Sequence, residues 1–142
     1  MTTTPTPTRY RDWQSRLAAL IAERERAAFA WGANDCALFT CDGVLAQTGH
    51  DPAADVRGSY KTEAGAARVI KRLGGMRAIG ASRFGAEILP ALAQVGDVGL
   101  AVLEGRETLL LCGGALWLGP GPGEAGLQRV PASAIVAAWR CV

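Results

Sequence analysis

Apolar residues recur every third or fourth position over the first half of the chain and alternate or run together over the second. Within residues 9–28, Trp13, Leu17, Leu20, Ile21 and Arg24 fall at spacings of three and four. That spacing predicts a helix with this stripe turned inward and residues 23–26 as its solvated end. Residues 29–32 break the period, and Gly32 permits a turn. A second helix is expected from the capping pair Asn34-Asp35 to about Gln47, with Ala37, Cys41, Val44 and Leu45 on its buried side. Thr48-Gly49 stops it. A third helix runs from Thr62 through Leu73, with Val69, Ile70 and Leu73 inward and Arg68, Lys71 and Arg72 in water. Gly74-Gly75 ends it, and residues 76–82 add one short helical turn.

The second half changes character. Gly96-Asp97 precedes an apolar strand, Val98–Leu103, and residues 104–107 form a hairpin turn. Further strands are expected over 108–113, 115–118, 127–130 and 135–141, separated by a Gly/Pro-rich surface loop at 119–126 and a turn at 131–134. Helices first and antiparallel strands after give an α+β class, with the helices packed on a small C-terminal sheet. Residues 9–142 read as one domain. Residues 1–8, rich in Thr and Pro, read as an extended N-terminal arm, disordered on its own, with a docking strap in an assembly as the alternative.

Composition narrows the classes. A chain of 142 residues, 49% of them hydrophobic, is long enough to bury one core without staples. Fifteen basic groups face thirteen acidic ones, and the signs interleave, ten against eight over residues 1–75 and five against five afterwards. No dense basic face follows from that distribution, so nucleic acid is not an expected partner. No apolar run is long enough for a membrane span, and the first eight residues lack the charged and apolar regions of a signal peptide. Thirteen Arg to two Lys, with abundant Ala and Gly, fits a GC-rich bacterial coding bias. Synthesis in a bacterial cytoplasm, where thiols stay reduced, is the expectation.

The sharpest local feature is Trp31-Gly32-Ala33-Asn34-Asp35-Cys36. It sets Cys36 on the first turn of a helix behind a polar cap, where free N–H groups and the helix dipole favour a thiolate. A small buried thiol in an Ala-rich helix is the plainer alternative. The single histidine, His50, lies up to about 20 Å along a continuous helix, beyond the roughly 3 Å that a nucleophile and its base require. It is expected at the surface of a Gly-His-Asp-Pro turn. Asp35, Asp42, Arg57 and Tyr60 are candidate binding residues with a structural use expected: the carboxylates as caps and surface contacts, Arg57-Gly58-Ser59-Tyr60 as a loop held against one of them. Asp97 is expected to anchor the first strand. Cys36, Cys41, Cys112 and Cys141 would hold a metal only if all four converged, and their scatter favours isolated thiols without a cofactor.

The order of these features carries a resemblance. A helix, then Gly-x-x-Asp-Cys (Gly32, Asp35, Cys36) opening a second helix, then Gly96-Asp97 leading a small antiparallel sheet, resembles the NlpC-type cysteine peptidases of bacterial cell walls, whose fold is papain-like. That likeness covers residues 31–45 and 96–119. Over nearly the whole chain after the arm, the wording is similar to short proteins of tailed-phage and prophage tail clusters. It rests on Trp31-Gly32-x-Asn34-Asp35-Cys36, Asp42, Thr48-Gly49-x-Asp51-Pro52, Arg57-Gly58-x-Tyr60, Gly74-Gly75, Gly96-Asp97 and Trp139-Arg140.

The peptidase resemblance implies Cys36 as nucleophile, a His at the start of the second strand as base, and a polar residue on the next strand to orient it. Thr108 and the wholly apolar stretch 115–118 stand at those places. Thr cannot take a proton from a thiol near neutral pH. A papain-like arrangement also turns the strand face bearing Thr108 and Cys112 toward the start of the Cys36 helix. The resemblance therefore implies a structural component of a phage or prophage-derived tail, at the tip or baseplate, in contact with other tail proteins and located in the virion. It would be built on a degenerate NlpC-like domain. The alternative is a peptidoglycan-degrading cysteine peptidase acting in genome entry, with Cys36 as nucleophile and a base lent by another chain.

Overall fold

The computed structural model describes residues 8–142. Apart from Thr8, the expected arm over residues 1–8 lies outside them. Four helices come first: α1 (Trp13–Arg24), α2 (Cys36–Thr48), α3 (Glu63–Arg72) and α4 (Met76–Arg83). Six strands follow: β1 (Glu87–Ile88), β2 (Val98–Leu103), β3 (Arg106–Cys112), β4 (Leu116–Pro120), β5 (Leu127–Pro131) and β6 (Ile135–Trp139). They form one antiparallel sheet in the order β1-β6-β2-β3-β4-β5. The class is α+β, as the segregation of patterns predicts.

Local chemistry sets most boundaries. Asp35 caps α2 by accepting the Leu38 N–H at 2.9 Å, and Gly49 ends it at φ +75°. Thr62 caps α3 by accepting the Gly65 N–H. Helix α1 is shorter than the expected 9–28 because tertiary bonds claim both ends. The Tyr10 N–H donates to the Gln47 carbonyl at 2.7 Å, and the Phe29 N–H donates to the Gly123 carbonyl at 2.8 Å. Helix α4 has eight residues, about two turns rather than one. The turn between β2 and β3 is only Glu104-Gly105, both at positive φ (50° and 77°), the conformation a two-residue hairpin demands. Strand β3 therefore starts two residues early. Strand β6 stops at Trp139 because the Cys141 N–H donates to Asp97. The two-residue β1 and the short 3-10 turns Pro90–Leu92 and Ala132–Ala134 carry no periodic signal.

Both faces of the sheet are buried. Val98, Leu100, Leu109, Ala137 and Trp139 meet Val44 of α2 and Met76 and Ile79 of α4. Leu111 extends this face toward Phe39 and Leu17. Gly43 makes room for it, since a Cβ there would sit 2.8 Å from both Leu111 methyls. On the other face, Ala101, Leu110, Cys112 and Ala138 lie with Trp117, Val130 and Ile135. Gly99 lets the Trp117 ring rest on β2. This alternation corrects one expectation. Cys112 faces away from α2, not toward Cys36, and its Sγ lies 3.7 Å from the Gly114 carbonyl.

Candidate functional site

Cys36 is the first residue of α2, and it packs against the cluster containing Leu109 of β3. The Leu109 backbone amide lies on the side of the sulfur and favours its charged form. Thr108, the residue the peptidase resemblance puts in the place of the base, falls by alternation on the opposite face. Its hydroxyl donates to the Arg106 carbonyl at 3.2 Å. The β3 side chain that packs beside Cys36 is thus the apolar Leu109, and not the one at the position where the peptidase resemblance implies a base.

Electrostatics also work against ionisation. Cys36 keeps part of its surface in solvent. Burial of the sulfur nevertheless pushes its thiol up to about 11, against the pull of the Leu109 N–H, and the Asp35 carboxylate adds to the rise. The thiolate stabilisation expected at a helix N-terminus is outweighed. A dipole contributes at most about 2 kcal/mol, and desolvation of a charged group exceeds that readily. The cavity beside the sulfur has a volume of about 60 Å³ and is walled by Cys41, Val56, Tyr60, Val69 and Leu109 among others. Ligand sites run to roughly 300–1,000 Å³. His50 is exposed beyond the far end of an unbroken α2, whose thirteen residues span about 20 Å.

The other candidate residues do converge, in a polar clamp around the start of α2. Asp35 is fully buried, and its second oxygen accepts the Gly32 N–H at 3.0 Å and the Tyr60 hydroxyl at 2.7 Å. Burial raises the Tyr60 hydroxyl pKa, and the Asp35 carboxylate it donates to adds to the rise. Gly32 is at φ +80°, and a Cβ there would lie 2.2 Å from the Tyr60 carbonyl oxygen, so only glycine fits between the two segments. Asp42 accepts from Arg57 at 2.6 Å on one oxygen and from Arg24 at 2.9 Å on the other. Arg57 also donates to Asp51 at 2.7 and 3.1 Å. Arg24 donates to the Asn34 amide oxygen at 3.1 Å, and the Asn34 amide donates to the Ala28 carbonyl at 2.9 Å. Arg83 ties the same segment from α4, donating to the Pro52 carbonyl and to Asp55.

Arg24 therefore does not belong to a solvated helix end. Its place in phase with the apolar stripe of α1 is the signal that it points inward. A second clamp holds the opposite end of α2. Buried Asp97 accepts from the Gln94 N–H, the Cys141 N–H and Arg140, at 2.9–3.0 Å, with Arg9 3.7 Å away. Arg9 also donates to Gln47, whose amide donates to the Gly43 and Gly96 carbonyls. Arg9 and Gln47 carry no local motif and escape sequence reasoning.

The four thiols do not meet. Cys36 and Cys141 pack against the α2–α4 face of the sheet, Cys41 belongs to a cluster with Leu38, Ala53, Val56 and Val69, and Cys112 lies on the far face. All four are free, and among the described residues no group of three His, Cys, Asp or Glu is arranged to hold a metal ion. No described helix is long and apolar enough to cross a membrane.

A family model described as a domain of unknown function (DUF6950) matches residues 8–141, and the chain belongs to that family. No curated protein and no solved structure matches.

Proposed function

We propose that this member of the DUF6950 family is a non-catalytic building block of a phage or prophage-derived tail, in the tip or baseplate region, carried on a papain-like domain of the NlpC type. The tail context rests on the likeness of Trp31-Gly32-x-Asn34-Asp35-Cys36, Asp42, Thr48-Gly49-x-Asp51-Pro52, Arg57-Gly58-x-Tyr60, Gly74-Gly75, Gly96-Asp97 and Trp139-Arg140 to short tail-cluster proteins. The loss of chemistry rests on the site. The observation that carries this reading is the packing of Cys36 against the apolar cluster that contains Leu109, with which it walls one small cavity lined by no histidine. A peptidase needs an imidazole within hydrogen-bond reach of the sulfur. The clamp residues act instead as internal braces, each carboxylate already bonded within the chain.

The test has two parts. Purified protein incubated with murein peptides is expected to give no turnover above that of Cys36→Ala. Phage or tail particles purified from a host expressing an epitope-tagged chain are expected to contain it, and particles made with Cys36→Ala are expected to be equally infectious. Turnover abolished by the substitution would establish the peptidase alternative, and absence of the chain from particles would remove the tail reading.

A further inference from the structure

The cations are less evenly spread than their totals suggest. Residues 61–83 hold six basic groups against one acidic, while the remaining residues hold nine against twelve. The structure places this segment on α3 and α4, and internal ion pairs neutralise only part of it. Arg83 is bound by Asp55, Arg77 lies 3.6 Å from Glu87, and Glu63 is bound by Arg106. Lys61, Arg68, Lys71 and Arg72 are all exposed, and among the described residues no carboxylate forms an ion pair with them. Asp55, whose carboxylate feels Arg72, is already held by Arg83 through both oxygens.

The three helical cations share one side of α3. Arg68 and Arg72 are one turn apart, about 6 Å along the axis, with Lys71 between them on the same side. The apolar side of the helix, Ala66 and Val69, is buried against the core. Between Lys61 and Arg68 the exposed side chains are Thr62, Glu63, which Arg106 binds, Ala64 and Ala67. A protein partner would find no aromatic or large aliphatic anchor there, and such anchors dominate protein–protein affinity. Exposed ion pairs alone contribute about 0–1 kcal/mol each, too little to offset the cost of association. A polyphosphodiester needs no anchor, because the counterions it releases supply the driving force.

We propose that the exposed side of α3, with Lys61, is a docking surface for the phosphate backbone of duplex nucleic acid, read without regard to sequence. Four phosphate contacts give a slope of log K against log salt of about −3.6. Affinity should then fall about 150-fold between 50 and 200 mM salt.

The test is fluorescence anisotropy of the full chain with a labelled 20-base-pair DNA duplex across that salt range. The expected result is saturable binding, indifferent to base sequence, with a slope near −3.6. Arg68→Ala/Arg72→Ala should bind more weakly and flatten the slope to about −1.8, with an unchanged circular dichroism spectrum because both side chains are exposed. Arg11→Ala/Arg26→Ala, exposed on another part of the surface, should leave the slope unaltered. The proposal is overturned by no binding at 50 mM salt, or by a slope that the α3 double variant leaves untouched. It is equally overturned if poly-glutamate or anionic phosphatidylglycerol vesicles compete as well as unlabelled duplex does, which would assign the surface to acidic proteins or to membranes.

Discussion

Asp35→Ala measures how much the clamp at the start of α2 contributes. The carboxylate is buried and accepts three hydrogen bonds, from the Leu38 N–H, the Gly32 N–H and the Tyr60 hydroxyl. Losing the cap costs about 1 kcal/mol. The Gly32 N–H and the Tyr60 hydroxyl lose a charged acceptor, where each bond contributes about 1.5–3 kcal/mol. Tyr60 is half-buried and recovers part of that from water, and removing a desolvated carboxylate returns some energy. The net cost comes to about 3 kcal/mol, or about 6–12 °C in Tm for a chain of this size. Urea unfolding of four proteins (wild type, Asp35→Ala, Tyr60→Phe and the double variant) gives the coupling. Tyr60→Phe alone is expected to cost about 1.5 kcal/mol, and the double variant should fall short of additivity by about 1 kcal/mol. A cost below about 1 kcal/mol for Asp35→Ala, or strict additivity in the cycle, would refute the account of Asp35 as the hub of this clamp.

Three further outcomes are expected. Cys36, with its thiol raised from 9.0 to about 11, should alkylate with iodoacetamide at pH 8 about 100-fold more slowly than a free cysteine; mass spectrometry of the labelled peptides reads this, and a rate above that of free cysteine would show an activated thiolate. Arg57→Ala should destabilise by about 2 kcal/mol, since it strips Asp42 and Asp51 of a shared partner while Arg24 still serves Asp42. Burial alone would raise the Asp51 pKa, but its bonds to Arg57 lower it below the usual carboxylate value. Its stabilisation is therefore present above the unfolded pKa and lost as pH falls through the lower folded one, so urea midpoints of wild type and Arg57→Ala should converge below about pH 4. Gly32→Ala should fail to reach the native near-ultraviolet circular dichroism spectrum, because its Cβ would overlap the Tyr60 carbonyl in a backbone region that L side chains avoid.

Much of the fold is legible because local chemistry decides it. Asp35 and Gly49 bracket α2, Thr62 opens α3, and apolar character with Gly96-Asp97 before it marks β2. The site is less legible, for a physical reason. Strand β3 buries Leu109-Leu110-Leu111-Cys112 between two apolar faces, so within that run no polar residue distinguishes one side from the other. Only the tight turn at Glu104-Gly105 and the pairing of Leu100 with Leu109 settle that Leu109, not Thr108, is turned toward α2. Arg24 is legible once a cation in phase with an apolar stripe is taken at face value. Arg9 and Gln47 are not, because their partners Val95 and Gly96 lie far along the chain, in the loop before β2, and leave no mark on neighbouring positions.

The carboxylate of Asp97 has a consequence for synthesis on the ribosome. It collects the guanidinium of Arg140 and the amide of Cys141 from just after β6, with Arg9 from before α1 close by. Translation delivers the helices first, then β3, the strand on which α2 rests most, and only later β6 with the groups that Asp97 binds beyond it. Until β6 emerges, the helices can close on β2 and β3, but the cluster around Met76 and Ile79 lacks Ala137 and Trp139. A nascent chain that has not yet reached Arg140 and Cys141 thus holds Asp97 short of two of its donors, and this buried carboxylate is bonded in full only after β6 is in place.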